Sequence, residues 1–194
     1  VLAARILAQA AEAKGWQVRS AETIGMAQRG GDVMSHVRMG NAGEEVFSPL
    51  PAKGTVDVLI ALEPGEAARA LPYLKENGLL VVASTGIPPV MANFKRQTYD
   101  PQHLIDDMQA AGVKMVVVDD AELVHRLGEP KALNVMMLAY AIIAVNKRQD
   151  CVDSALRGAI TLEDVEAAIP LCVKRKLVSV NEKAIKVVQQ VARV

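Results

Sequence analysis

Three short runs of almost wholly apolar residues constrain the fold more than any other feature of this sequence. The runs span residues 56–62, 79–83 and 115–118, and apolar runs this short are typical of strands that helices cover on both faces. Segments with helical periodicity separate them. The alternation predicts an α/β fold: a three-layer, mostly parallel open sheet with helices on both faces, Rossmann-like, with a helical C-terminal third.

Prolines, glycines and capping residues predict where several helices begin and end. Pro64 favours the start of a helix and Gly78 its exit, while Pro72 between them predicts a kink or an early end. Asp100 stands directly before a proline, which predicts an N-cap, and Gly112 predicts the end of the helix that follows. These signals place helices between the predicted strands.

The last third of the sequence is predicted to be helical. A segment from about residue 131 to 145 is apolar nearly all round, so we expect its helix at the centre of the fold. Thr161 and Asp164 have the spacing of a capping box, which predicts a short helix that ends at Pro170. Asn181 is expected to cap the final helix.

Charge and composition argue against two classes of partner. The 194 residues include 22 basic and 22 acidic side chains, so the formal net charge is zero. Such a chain has no strong field for phosphate backbones or anionic lipid, and one Trp, three Tyr and two Phe offer few stacking platforms for bases. We therefore expect no nucleic acid and no membrane as partner. The apolar content makes a homo-oligomer plausible.

No signal for a membrane span, for export or for a bound metal is visible. The longest near-continuous apolar stretch, residues 132–145, is interrupted by Asn134 and is shorter than the roughly 20 residues that cross a bilayer. No leader pattern precedes the first helix, so a cytoplasmic location is expected. Cys151 and Cys172 occur without a CxxC motif. This arrangement favours two reduced structural thiols over a disulfide or a metal site held by this chain.

A glycine-rich turn is the most informative segment. Gly30 and Gly31 permit positive φ angles and close approach of other atoms, and Arg29 and Arg38 offer planar groups that bind carboxylate or phosphate. From the residues alone, two interpretations stay open. The segment is either a plain turn with solvated side chains, or a rigid polar loop at a binding surface.

The alternating run from residue 33 to 39 predicts a strand after this turn. Ser35 lies on one face of that strand, and His36 and Arg38 lie on the other. Spacing identifies no carboxylate partner for His36, so it is not expected to act as a general acid or base. The candidate site comprises Gly25, Met26, Ala27, Gln28, Arg29, Gly30, Gly31, Ser35, His36 and Arg38.

The order of these residues resembles a family signature. The run MAQRGG at 26–31, followed after three residues by SHVR at 35–38, is similar to the gamma subunit, or gamma domain, of 2-oxoacid:ferredoxin oxidoreductases. That family includes the pyruvate, ketoisovalerate and indolepyruvate oxidoreductases. The resemblance continues through residues 47–49, 57–64, 71–74, 134–138 and 181–184.

The resemblance implies one gamma-type domain over residues 1–194. Members of the family begin with a strand and a glycine-rich turn directly before the first helix, and this sequence starts just after that position. A glycine turn that leads into a helix is a natural anion site. The domain is therefore expected to lack the usual first strand and its small-molecule-binding turn.

The resemblance also implies a role as a partner subunit. The family decarboxylates a 2-oxoacid oxidatively with thiamine diphosphate, passes electrons through iron-sulfur clusters to ferredoxin, and forms an acyl-CoA. This chain lacks a thiamine diphosphate motif with its Mg²⁺ ligands and lacks the four cysteines that hold a cluster. The expected holders of these cofactors are alpha, beta and delta or other cluster-bearing subunits, with CoA as co-substrate of the complex.

The isolated chain is therefore expected to be inactive. In this interpretation the candidate residues form a subunit-interface or substrate-side loop, with Gln28 and Arg29 as polar contacts. One alternative is a free-standing small-molecule-binding α/β domain that uses the same loop. Another is a nucleotide-dependent enzyme whose phosphate loop lies upstream. Glu63, at the end of an apolar strand, is either a ligand contact or the cap of the next helix.

Overall fold

The structure is a computed structural model that describes residues 1–25, 33–41, 43–88 and 99–192. The helices are α1 (Leu2–Ala13), α2 (Pro64–Ala70), α3 (Pro101–Ala110), α4 (Asp120–Leu127), α5 (Leu133–Lys147), α6 (Leu162–Cys172) and α7 (Arg175–Val191). The strands are β1 (Gln17–Ile24), β2 (Val33–Gly40), β3 (Val56–Ala61), β4 (Leu74–Ala83) and β5 (Met115–Val118). Short 3₁₀ turns occupy Leu71–Tyr73, Pro130–Ala132 and Ser154–Leu156.

The three apolar runs form a parallel sheet with β4 between β3 and β5. Alternate residues of β4 enter two separate cores. Leu79 and Val81 face a core built with α5, whereas Leu80 and Val82 face a core built with α2 and α3. Burial on both faces explains why these runs carry almost no polar residue. The predicted three-layer arrangement, with helices on both faces of a parallel sheet, is confirmed.

Helix α5 lies at the centre of the fold, as its all-round apolar sequence predicts. Every residue from Val135 to Ile142 is buried. The helix packs on β3 and β4 and is covered from outside by α1, α6 and α7. The C-terminal third is helical throughout its regular elements, as expected.

The early end predicted from Pro72 is confirmed, since the helix stops at Ala70, but the predicted exit at Gly78 is wrong. Pro72 has no amide hydrogen to continue the helix, and the chain passes through a 3₁₀ turn into β4 at Leu74. Gly78 lies inside β4 at a register irregularity opposite β3. A Cβ atom there would be 2.6 Å from the Leu74 Cδ1 atom and 3.0 Å from the Val56 carbonyl oxygen, so this glycine serves close packing within the sheet and does not end a helix.

Two predictions in the last third are also wrong. Pro170 lies inside α6, which continues to Cys172, because a proline near the end of a helix removes only one hydrogen bond there. Asn181 lies inside α7 instead of capping it. Its amide Nδ2 donates to the Leu177 carbonyl oxygen at 2.7 Å, so the side chain bonds back to its own helix.

Two capping predictions are confirmed. Asp100 accepts hydrogen bonds from the amides of Gln102 and His103 at the start of α3, and Thr161 and Asp164 form a reciprocal capping box at the start of α6. Cys151 and Cys172 are free, buried thiols. Among the described residues, no helix combines the length and apolarity needed to cross a membrane.

Candidate functional site

The candidate residues that the structure describes lie on the antiparallel β1–β2 hairpin. Ser35 pairs with Glu22 and His36 pairs with Ala21, and α1 packs along the hairpin. Gly25 follows β1 and is half-buried. The remaining candidate residues, numbers 26–31, lie outside the described residues.

Ser35 borders an open groove between α1 and the hairpin. The groove has a volume of about 450 Å³, and its walls include Arg5 and Glu12 from α1 and Glu22 from β1. The nitrogen of Val1 donates to the Ser35 Oγ atom at 2.8 Å. Charges of both signs and a hydroxyl group therefore line one side of the hairpin, and such a surface suits polar contacts with another molecule.

Strand alternation predicts His36 and Arg38 on the face opposite Ser35, yet His36 also borders this groove, and only Arg38 lies outside its lining. The His36 Nε2 atom lies 3.5 Å from the Thr23 Oγ1 atom. The imidazole meets the Tyr73 ring edge to face, with 6.2 Å between the ring centroids. No carboxylate of the described residues bonds to His36, so the geometry here supports packing and gives no acid-base pair.

Arg38 fixes a neighbouring loop to the hairpin. Its Nη1 atom donates to the Ser48 carbonyl oxygen at 3.0 Å. We name residues 44–50 the Phe47 loop, because Phe47 projects from it and is 86% exposed. Sequence reasoning included this phenylalanine only in the family resemblance, since exposure of one side chain in a loop leaves no periodic signal.

A second polar cluster lies at the carboxyl edge of the parallel sheet. Glu63 is buried there, and both of its carboxylate oxygens have a donor. Oε2 accepts from the Glu66 amide at 2.8 Å, and Oε1 accepts from the Tyr99 hydroxyl. The capping interpretation of Glu63 therefore accounts for its position, and Tyr99 ties the chain before α3 to the start of α2.

Asp120 is the other buried carboxylate at this edge. Its Oδ1 atom accepts from the Ser84 hydroxyl at 3.2 Å and from the Thr85 amide at 2.9 Å. Sequence reasoning missed this contact. Polar residues that directly follow two apolar strands were a usable signal, because the carboxyl ends of parallel strands meet at one edge of the sheet. The contact fastens the chain that leaves β4 to the start of α4.

The cysteines offer no reactive centre. Burial raises the pKa of the Cys151 thiol, which keeps it in the neutral form. Nearby, the Arg148 guanidinium donates to both carboxylate oxygens of Asp150, at 2.7 and 2.8 Å, and holds the pKa of that carboxyl well below its usual range. Within the described ranges, no group of three or more histidine, cysteine or acidic side chains is placed to hold a metal ion.

The structure thus combines a parallel sheet covered on both faces with a hairpin that has a polar surface. The described residues contain no reactive centre. The profile of the pyruvate ferredoxin/flavodoxin oxidoreductase family matches residues 1–193. The chain belongs to this family, and the resemblance stated from its sequence is confirmed.

Named relatives refine the position of the chain within this family. It is 33% identical over 182 residues to indolepyruvate oxidoreductase subunit IorB of Archaeoglobus fulgidus, a match that covers 93% of this chain and 83% of the relative. It is 29% identical over 187 residues to the subunit of the same name from Thermococcus kodakarensis, covering 94% and 84% of the two chains.

Solved structures share the fold. The gamma subunit of a keto/oxoacid ferredoxin oxidoreductase from Geobacter sulfurreducens superposes with a TM-score of 0.63 at 20% identity, covering 98% of this chain and 89% of that one. Pyruvate oxidoreductase subunit PORC of Thermotoga maritima gives a TM-score of 0.60 at 19% identity, covering 97% and 86%. The α/β architecture is therefore that of these subunits.

Proposed function

We propose that this chain is the small, gamma-type subunit of a multi-subunit 2-oxoacid:ferredoxin oxidoreductase and has no activity alone. The observation that carries the proposal is the family match over residues 1–193. Relatives that share about a third of its residues are themselves named as subunits.

The donor groups of this chain support the assignment of the cofactors to other subunits. A cubane iron-sulfur cluster takes four thiolates, and this chain has two cysteines. Both are buried; Cys151 lies in the connection after α5, and Cys172 is the last residue of α6. Thiamine diphosphate supplies carbanion stabilisation where it is bound, and we assign it, with Mg²⁺ and the clusters, to the alpha, beta and cluster-bearing subunits. Ferredoxin is the proposed acceptor of the complex.

The hairpin and its turn form the proposed interface or substrate-side surface. Residues 25–31 would supply a glycine-permitted backbone with Gln28 and Arg29 as polar contacts, and Ser35 would contribute from the groove beside α1. Arg38 contributes by holding the Phe47 loop. This surface combines hydroxyl, carboxylate and guanidinium groups, which suits a polar protein contact.

The substrate of the complex is proposed to be a 2-oxoacid that loses CO₂ and two electrons, with ferredoxin as the oxidant that accepts the electrons and the CoA thiol as the group that takes the remaining acyl unit. Because relatives with this degree of identity are named indolepyruvate oxidoreductase subunits, indolepyruvate is the first substrate to test. Pyruvate and 2-oxoglutarate serve as comparison substrates.

Co-expression with the proposed thiamine-diphosphate-binding subunit tests this function. We expect a tagged chain to retain that subunit in fixed stoichiometry through size-exclusion chromatography. Arg29→Ala should weaken the complex or its CoA-dependent turnover. Arg126→Ala, which removes only an exposed ion pair with Glu122 on α4, should not. A chain that stays alone and instead binds a small molecule would favour the free-standing binding domain.

A further inference from the structure

The Phe47 loop holds an exposed aromatic side chain on a fixed backbone. Phe47 is 86% exposed, and Leu50 in the same loop is half exposed. Burial of a phenylalanine side chain away from water is stabilising, and the isolated chain forgoes most of that stabilisation here. Single exposed apolar residues are ordinary. Phe47 differs from such residues in the contacts that hold its loop and in the charges beside it.

Several contacts fix the loop backbone on either side of Phe47. The Val46 side chain is buried, and its amide donates to the Gln17 Oε1 atom at 3.1 Å. The Ser48 carbonyl accepts from Arg38, and the Leu50 amide donates to the Ser48 Oγ atom at 3.2 Å. A loop held in this way loses little conformational freedom when it binds, and preorganisation of this kind raises affinity.

The charges beside Phe47 indicate the chemistry of what would cover it. Glu44 and Glu45 are both exposed, and no basic side chain of the described residues forms an ion pair with either. A complementary surface would therefore have an apolar pocket for the ring and lysine or arginine side chains at its rim. Aromatic anchors that enter such pockets dominate many protein interfaces.

We propose that Phe47 is the anchor of the contact with the cofactor-binding partner subunit, in a pocket with a basic rim that faces Glu44 and Glu45. Arg38 is a positioning residue, because it acts through the Ser48 carbonyl and holds the loop in its presenting conformation. The inference rests on the proposed function, which supplies the identity of the partner subunit.

The experiment measures binding of the purified chain to the immobilised partner subunit. Phe47→Ala is expected to weaken binding by roughly 30-fold or more, as truncation of an interface anchor does. Leu171→Ala is the matched control, because Leu171 is 70% exposed at the end of α6. The control should stay within about 3-fold of the unaltered chain, as residues outside the anchor do. Equal affinity of the unaltered and Phe47→Ala chains would overturn the proposal.

Two further variants separate the parts of the proposal. Glu44→Gln combined with Glu45→Gln should slow association at low salt and lose that effect at high salt; an unchanged salt dependence would refute the basic rim. Arg38→Met should weaken binding, and Arg38→Lys should recover part of it, because lysine can still donate to the Ser48 carbonyl. Equal weakening by both would refute the positioning role.

The outcomes also distinguish the two levels of inference. If the unaltered chain does not bind the partner subunit, the proposed function fails, and this inference fails with it. If the unaltered chain binds but Phe47→Ala binds equally well, only the anchor is wrong. Because Phe47 is 86% exposed, its substitution should leave the urea midpoint of unfolding unchanged.

Discussion

Substitution of Gly40 by alanine tests how closely the Phe47 loop packs against strand β2. A Cβ atom built on Gly40 would lie 2.6 Å from the Glu44 carbonyl oxygen and 3.0 Å from the Val46 Cγ2 atom. The nearer atom belongs to the backbone and has no rotamer by which to move away. The φ angle of Gly40 is not positive, so the expected cost is steric and not conformational.

The magnitude follows from what has to move. Relief of the contact requires a shift of residues 44–46, which separates the Val46 amide from its acceptor on Gln17 and disturbs a buried side chain. Forcing extra atoms into a close-packed site costs about 1–3 kcal/mol, and loss of a neutral hydrogen bond adds about 1 kcal/mol. We expect Gly40→Ala to lower the free energy of unfolding by about 2 kcal/mol in total, within these ranges.

Urea denaturation gives this free energy, and amide hydrogen exchange shows where the change occurs. The Val46 amide should exchange at least roughly tenfold faster in Gly40→Ala, which corresponds to about 1.4 kcal/mol of local opening. Gly15→Ala is the control. Gly15 has open space around it but a φ of +76°, so alanine should cost about 1 kcal/mol through backbone strain without changing exchange at Val46.

A specific result would refute this reasoning. If Gly40→Ala unfolds with the same free energy as the unaltered chain and exchange at Val46 is unchanged, the loop does not pack against β2 as described. The fixed presentation of Phe47 would then lose its physical basis.

Three further predictions concern the framework around the site. Thr161→Ala removes the cap of α6 and should lower the free energy of unfolding by about 1 kcal/mol; an unchanged urea midpoint would contradict it. Tyr99→Phe leaves the buried Glu63 carboxylate one donor short and should cost about 1–2 kcal/mol, read as a lower Tm; an equal Tm would show that water replaces the hydroxyl. The Arg148 hydrogen bond lowers the pKa of Asp150. This hydrogen bond therefore stabilises the fold at pH values above the unfolded pKa of about 3.9, and the stabilisation is lost as the pH falls through the pKa that Asp150 has in the folded chain. An NMR titration of Asp150 with a midpoint at or above about 3.9 would contradict this account.

The sequence predicts an element correctly where residues close together in the chain determine that element. Strand β5 has the boundaries predicted from its four apolar residues, and Asp100 caps α3 because a carboxylate before a proline satisfies free amides at a helix start. The central position of α5 also follows from its own composition, since a helix without a polar face can only be buried.

Predictions failed where a residue type has two uses and distant packing decides between them. Gly78 resembles a helix terminator, but it lies inside β4, where the Leu74 side chain and the Val56 carbonyl oxygen of β3 leave little room for a Cβ atom. Asn181 resembles a cap, but the α6–α7 connection starts the helix earlier, at Arg175. In both cases tertiary context overrides the local preference.

The candidate site was predicted in part. Alternation along β2 predicts Ser35 and His36 on opposite faces, and their side chains do contact different partners, Val1 and Thr23, although both residues border the groove beside α1. The attachment of Arg38 to Ser48 joins a strand to a loop ten residues later, and the bond from Thr85 to Asp120 spans 35 residues. Neither contact has a periodic or spacing signal, so only the folded chain reveals them.

Reduction of ferredoxin by a 2-oxoacid in the presence of CoA is the most direct test of the role assigned to this chain. The assay compares the purified chain alone, the proposed thiamine-diphosphate-binding and cluster-bearing subunits alone, and the mixture of all of them, each with thiamine diphosphate and Mg²⁺ present. We predict no reduction by the chain alone and substantial turnover only in the mixture. Turnover by the chain alone, or full turnover by the other subunits without it, would contradict the account.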